Sequence, residues 1–392
     1  MMTTLKIPEP RAVIKSLDES LIREVANTAM GQKDIIPFWF GESDQVTPKF
    51  IRDAAITSIN NGETFYSQNL GRPYLREAIS QYMRKLHEKS VPIQRIAAID
   101  SGVSGLMLTM QMLLDPGDKM VAVTPIWPNI TEIPKILGAH VERVPLAIKN
   151  NRWALDTEQL LKVLTPNTKL LVINSPNNPT GWTINDNEID MVLAHCRKYG
   201  IWILADDVYE RLIHDKNRKS APSFISRFED GDRIISVNSF SKAWNMTGWR
   251  LGWITAPEEI IKNLSKVIEY NASCIFEPVQ RAGATALENG EDTVAEFRLH
   301  LRKTRKLLVD NLMQIPRAIV PEADGAMYVF FRLEDYDDTV QLAKDLIRNA
   351  GIGLAPGGAF GAEGNGWLRW CHAVETDKLN AGIARLKKYL DR

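Results

Sequence analysis

The chain has 392 residues, 44% of them hydrophobic and 24% charged, and its 48 Lys and Arg balance 48 Asp and Glu. That length suits two domains rather than one small core, and zero net charge offers no pull toward nucleic acid or an anionic membrane surface. Three scattered cysteines, Cys196, Cys274 and Cys371, argue against a disulfide framework, no run reaches transmembrane length, and no long apolar stretch opens the chain, so a cytoplasmic protein is predicted.

Residues 1–36 read as a polar arm with one amphipathic stretch at 20–30. Residues 37–48 carry loop residues and the aromatics Trp39 and Phe40. A helix is predicted over 48–60, stopped by Asn61-Gly62. Tyr66 falls in a loop, followed by an amphipathic helix with Leu75, Ile79, Tyr82 and Leu86 on one face. From residue 95 short apolar runs alternate with helices. The runs are 96–99, 120–123, 141–144, 170–173, 201–205 and the run opening at Ile234; helices cover 106–114, 157–164 and 188–199, and another precedes Gly138. Continuous apolar runs separated by helices mean parallel strands buried on both faces, the doubly wound α/β arrangement. Beyond 261 long helices take over (261–270, 278–286, 293–313). A strand at 327–333, a helix at 339–349, a strand at 367–371 and a helix at 378–390 then suggest a smaller α+β domain. The predicted division is 1–46 as an arm joining the small domain, 47–290 as the large domain and 291–392 as the small one.

Four of the apolar runs end in polar clusters, and in open α/β sheets ligands bind beyond the carboxyl ends of the strands. The run from Ile234 leads into Ser239, Ser241 and Lys242, with Arg250 eight residues on. A lysine in such a place is partly desolvated, which lowers its pKa and makes it an amine nucleophile; two hydroxyls and an arginine nearby suit a phosphate. Together these point to pyridoxal phosphate. Val103 and Ser104 stand at a glycine-flanked helix N-terminus, where free N–H groups attract an anion. Asp206 at a strand end is placed to pair with the pyridine nitrogen. Asn178 and Tyr209 suit the ring oxygen, Trp127 the ring face, and Arg369 a substrate carboxylate. Taken singly each has a plainer reading: a tight turn for SGVSG and NPTG, a cap for Asp206, a core ring for Trp127, a solvent-facing charge for Arg369. The glycines of 356–366 lack GxGxxG spacing after a strand, so no dinucleotide site is predicted. No two of the six histidines are four apart, so no metal site on one helix is predicted either.

The motifs in combination resemble class I aminotransferases of the pyridoxal-phosphate fold-type I, or aspartate aminotransferase, superfamily. They are Tyr66 with Gly71, Leu75 and Arg76; Ser101 to Gly105; Pro125-Ile126-Trp127; Asn178-Pro179-Thr180-Gly181; Asp206-Asp207-Val208-Tyr209; Ser239-Phe240-Ser241-Lys242 with Arg250; and Leu368-Arg369. The resemblance implies a large domain with a mostly parallel seven-stranded sheet. It implies Lys242 as the Schiff-base lysine and proton carrier, Asp206 at the ring nitrogen, Asn178 and Tyr209 at the ring oxygen, and Trp127 stacked on the ring. Val103, Ser104, Ser239, Ser241 and Arg250 would hold the phosphate. Arg369 would bind the substrate carboxylate beside Gly41, with Trp127 and Asn178 also touching substrate. Tyr66 would reach the site of a partner subunit in a homodimer with shared sites. The activity implied is ping-pong transamination between an amino acid and a 2-oxo acid, aspartate with 2-oxoglutarate being the first choice. Aromatic- or alanine-type transamination and a C–S β-lyase of the same fold stay open. A regulator that only binds the cofactor would need a DNA-binding module ahead of residue 37, for which the arm leaves no room. Position 105 is glycine where some aspartate enzymes of bacteria carry a lysine for the distal carboxylate; Trp39, Phe40 and Trp127 could line an apolar pocket instead; and Phe276-Glu277-Pro278 departs from many relatives near the expected partner contact.

Overall fold

The computed structural model describes residues 9–391; residues 1–8 of the predicted arm, and residue 392, lie outside the described residues. Seven strands form the central sheet, in the order Ile96–Ile99, Gly252–Thr255, Ile234–Ser239, Trp202–Asp206, Thr168–Asn174, Lys119–Thr124 and His140–Pro145. Five of them run parallel, from Ile234–Ser239 to His140–Pro145. Gly252–Thr255 is antiparallel to both its neighbours.

Every strand of the sheet's middle is buried, and alternate residues serve opposite faces. Ala97, Met120, Ala122, Leu170, Val172, Leu204, Ile235 and Ile254 meet the helices Gly102–Leu113, Asn129–Leu137 and Glu258–Glu269. Ile96, Ala98, Val121, Val123, Leu171, Ile173, Ile203 and Ala205 meet Pro73–His87, Asp186–Tyr199 and Glu277–Asn289. Local signals set the helix ends. Asn185 and Glu188 form a reciprocal capping box at the start of Asp186–Tyr199, and Gly200 ends that helix in the left-handed region.

A four-stranded sheet lies C-terminal to the first, ordered Ala318–Ile319, Tyr328–Leu333, Trp367–Cys371, Ala355–Pro356. Tyr328–Leu333 and Trp367–Cys371 are antiparallel, with Phe330 opposite Arg369. The N-terminal segment joins this part of the chain: Ile36–Pro37 pairs in parallel with Ile352–Gly353.

Two features depart from the sequence expectation. Gly252–Thr255 was not anticipated as a strand, because four residues directly after a polar turn give periodicity little to work on. The same holds for the hairpin Ala147–Lys149 with Arg152–Ala154, turned on Asn150 and Asn151 at φ 51° and 59°. All three cysteines are free. Among the described residues no helix is long and apolar enough to cross a membrane.

Candidate active site

The register places several chain ends along one edge of the central sheet. Gly252 lies opposite both Ile99 and Ser239, Asp206 lies opposite Val237, and Asn174 opposite Asp206. Gly252 lets these ends close up, since a Cβ there would stand 2.5 Å from the Asn238 carbonyl oxygen. A cleft of about 430 Å³ opens at this edge. It is lined by Gly41, Val103, Trp127, Asn178, Asp206, Tyr209, Ser239, Ser241, Lys242, Arg250 and Arg369. Two predicted residues are not among its lining. Ser104 faces an adjoining cavity of about 1220 Å³, shared with Val103, Trp127 and Arg250. Tyr66 stands on the outer surface, 91% exposed.

Lys242 sits in the one-turn helix Phe240–Ala243, capped by the Ser239 hydroxyl, which accepts from the Ser241 N–H at 3.1 Å. Its Nζ donates to the Gly41 carbonyl at 2.6 Å. Burial pushes the amine down to about 8, the nearby Arg369 and Arg250 adding to the effect while Cys371 and Glu42 oppose it.

Asp206 is 2% exposed. Among the described residues its Oδ1 meets only the Val208 N–H, at 3.5 Å. Burial drives the carboxyl up to about 7, against the pull of Val208 and the charge of Lys242. Its own carbonyl accepts from Asn174 Nδ2 at 3.1 Å, and Asn174 Oδ1 in turn accepts from the Asn178 N–H at 2.7 Å. That chain of bonds ties the loop carrying Asn178 to the strand carrying Asp206.

Arg369 does not face solvent, as simple alternation allowed; it is 2% exposed. Nη1 donates to Asn178 Oδ1 at 2.8 Å and Nη2 to the Trp39 carbonyl. Its guanidinium carbon lies 4.4 Å from the Tyr328 ring centre and 4.9 Å from that of Phe360. Its Nε is buried with no partner among the described residues, an unspent donor on a group built to grip a carboxylate. Because Asn178 Oδ1 faces Arg369, its Nδ2 is left to donate elsewhere.

Tyr328 is the main lining residue that sequence reasoning passed over. Its hydroxyl is 2.6 Å from that of Tyr209, and burial pushes it up to about 12. It stands just where a predicted strand begins, so its position looked like core. It also explains Gly41: a Cβ there would lie 2.0 Å from the Tyr328 hydroxyl.

The side of the cleft predicted to take an anion is equally compact. Val103 is in the first turn of Gly102–Leu113, whose leading N–H groups the helix itself cannot satisfy. Ser239 and Ser241 are linked at 2.9 Å between their Oγ atoms. Arg250 holds a left-handed backbone at φ 54°, uncommon for a residue with a side chain, and its Nη1 reaches the Thr247 carbonyl at 2.7 Å.

Two sequence readings need correction, and the structure adds to a third. A side chain at 105 would point into the sheet, 2.4 Å from Ile99 Cδ1 and 3.0 Å from Val237 Cγ1, so glycine there reflects helix–sheet packing and says nothing about substrate. Trp39 does not line the cleft: its ring packs on Gly353, and only its carbonyl reaches the site. Glu277 is buried within its own chain, bonded to Ser67 Oγ at 2.7 Å, Arg72 Nε at 2.8 Å and Tyr74 Oη at 3.0 Å. It therefore anchors the loop that presents Tyr66.

A recessed lysine, an unpaired buried carboxylate and an anion cradle at one edge of a mostly parallel seven-stranded sheet define the architecture of a pyridoxal-phosphate enzyme. Residues 33–386 match the aminotransferase class I and II family, and the chain belongs to it; this family works with pyridoxal 5′-phosphate. The chain is 34% identical to an aspartate aminotransferase of Pyrococcus horikoshii, covering 96% of this chain and 95% of that one. It is 30% identical to aromatic-amino-acid aminotransferase 2 of Thermococcus litoralis, over 96% and 97%. The solved structure of aspartate aminotransferase from Thermus thermophilus with maleate superposes with a TM-score of 0.90 at 27% identity, over 97% and 100%. The residues present fit the cofactor. Among the described residues Asp206 forms no ion pair, Lys242 acting on it only at a distance, and a protonated ring nitrogen is a cation that would pair with it.

Proposed function

We propose that this aminotransferase moves the amino group of aspartate to 2-oxoglutarate in two alternating half-reactions at the cleft, with Lys242 as the working base. The observation that carries this reading is the pairing of Lys242 and Arg369 on one short segment, through the carbonyls of Gly41 and Trp39. An amino acid whose carboxylate takes up the Arg369 fork presents its α-carbon beside Lys242. Fixing both ends is what selects one bond at that carbon for breaking. Pyridoxal phosphate, when bound, supplies the electron sink. Asp206 would hold positive charge at the ring nitrogen. Asn178 and Tyr209 would donate to the ring oxygen, and Trp127 would cover the ring face. Val103, Ser104, Ser239, Ser241 and Arg250 would hold the phosphate. Lys242 takes the proton from the substrate α-carbon, a task its lowered pKa suits near neutral pH. Aspartate as donor rests on the names of the relatives above.

The same reading extends to assembly. Tyr66, Phe65 and Tyr270 are large rings left exposed, with Phe276 half out, an apolar face that a second copy of the chain would cover. In that homodimer Tyr66 completes the partner's phosphate site. The division into 1–46, 47–290 and 291–392 is supported by the two separate sheets and by the pairing of Ile36–Pro37 with Ile352–Gly353. The cytoplasm is the compartment we assign. A panel of amino acids, each tested with 2-oxoglutarate while the cofactor's absorbance is followed between its aldehyde and amine forms, tests the activity. Pyruvate and ammonia released without a 2-oxo acid would replace transamination with β-elimination.

A further inference from the structure

The cleft holds more positive charge than the roles above use. Arg23, Lys242, Arg250 and Arg369 line it, against Asp206 as its only lining carboxylate among the described residues. The cofactor phosphate engages Arg250, the substrate α-carboxylate engages Arg369, and Lys242 carries the chemistry. Arg23 has no such assignment. It sits in the N-terminal helix Leu21–Asn27, its N–H capped by Ser20 Oγ at 3.3 Å. Its guanidinium carbon lies 5.2 Å from the centre of the Phe40 ring. Among the described residues its side chain has no ion pair and no hydrogen bond, so the fork is free.

Phe40 fixes where that fork stands. It lies between Trp39 and Gly41, whose carbonyls hold Arg369 and Lys242. The ring under Arg23 therefore belongs to the strip that joins the carboxylate anchor to the base. A substrate with its α-carboxylate on Arg369 and its α-carbon at Lys242 has only its side chain left to place. We propose that Arg23 binds the distal carboxylate of a dicarboxylic amino acid and of its 2-oxo acid partner, with Phe40 as the positioning residue beneath it. This rests on the transamination reading and names the substrate class of that same cleft. A guanidinium fork matches a carboxylate in shape as well as charge. An apolar side chain would strip water from Arg23 and give nothing back. An aromatic substrate would find the face of Phe40 already covered.

Two measurements on the holoenzyme test the assignment. The first is the amino-acid half-reaction in single turnover, comparing aspartate with 2-aminobutyrate. The ratio of their kcat/KM values should favour aspartate in the wild type and fall about 100-fold in Arg23→Gln, in keeping with a lost charge-assisted pair. Arg23→Lys should recover part of that ratio, and Phe40→Leu should lose part of it with the charge intact. The second is calorimetric binding of succinate against butyrate, neither of which carries an amino group to transfer. The wild type should prefer succinate and Arg23→Gln should not. A ratio that changes less than about 3-fold in Arg23→Gln, equal losses for both amino acids, or no succinate preference in the wild type overturns the proposal. If no amino acid reacts at all, the transamination reading falls, and the calorimetric pair still decides the role of Arg23.

Discussion

Replacing Asp206 by asparagine perturbs the site's charge while keeping its shape. The rise of this buried carboxyl from 3.8 to about 7 corresponds to about 4 kcal/mol, the cost of ionising it without a partner. A cation about 4 Å away, at an effective dielectric of about 20, returns about 4 kcal/mol. The folded carboxyl thus keeps its proton where the unfolded one has lost it. Stability of the cofactor-free protein therefore falls as pH rises from about 4 to about 7. Asparagine does not titrate. Without cofactor, wild type and Asp206→Asn should be equally stable near about pH 3, below both pKa values, and the variant more stable by up to about 4 kcal/mol near about pH 8. Pyridoxal phosphate favours the wild type instead: the variant should bind it about 1000-fold more weakly, at about 1.4 kcal/mol per decade. Denaturant titrations of both proteins at both pH values give the first result. Asp207, which burial also raises to about 7 with the charges of Glu210 and Asp206 adding to it, titrates in both proteins. Absorbance titration with the cofactor gives the second. A stability gap that does not widen with pH, or wild-type cofactor affinity in the variant, would refute the reasoning.

Lys242→Ala should abolish turnover and leave the circular dichroism spectrum unchanged; a variant that still transaminates at the wild-type rate shows that another group is the base. With the Lys242 amine brought down to about 8, its uncharged form is present above that pH, so capture of pyridoxal phosphate by the cofactor-free protein should speed up through about pH 8, not near 10.5, in stopped-flow traces. Gly41→Ala should cost at least about 10-fold in kcat/KM by driving a methyl into the Tyr328 hydroxyl, and Tyr328→Phe, by removing that hydroxyl, should make the double variant better than the two single losses combined. Sedimentation at micromolar concentration should give a dimer, and mixing Lys242→Ala with Tyr66→Ala subunits should regain activity through hybrid dimers; a monomer that is fully active removes Tyr66 from the site.

Much of this arrangement was legible in residue order alone. Apolar runs ending in polar clusters told where the cleft would be, because a strand buried on both faces must place its polar residues at its ends. What escaped depended on contacts between distant segments. Tyr328 looked like core because its hydroxyl partner, Tyr209, comes from the turn after Trp202–Asp206, a strand of the other sheet. Trp39 looked like pocket lining because nothing local says that Gly353 makes room for its ring. The glycine at 105 looked like a missing cation because the facing of a helix is set by the sheet beneath it. Arg23 was invisible as a site residue, since a seven-residue helix with one arginine is an ordinary surface feature until Phe40 is seen under it.

The backward strand Gly252–Thr255 has a consequence for how the cofactor is gripped. Because it runs against its neighbours, its beginning, not its end, arrives at the cleft. The chain leaves the edge at Lys242 and is back at Arg250, so on the roles proposed above one brief excursion would deliver both the covalent tether and a clasp for the opposite end of the same small molecule. The span between the two thus behaves as a ruler. Lengthening it by even one residue should leave the sheet able to form while the two attachment points no longer match the ligand they share.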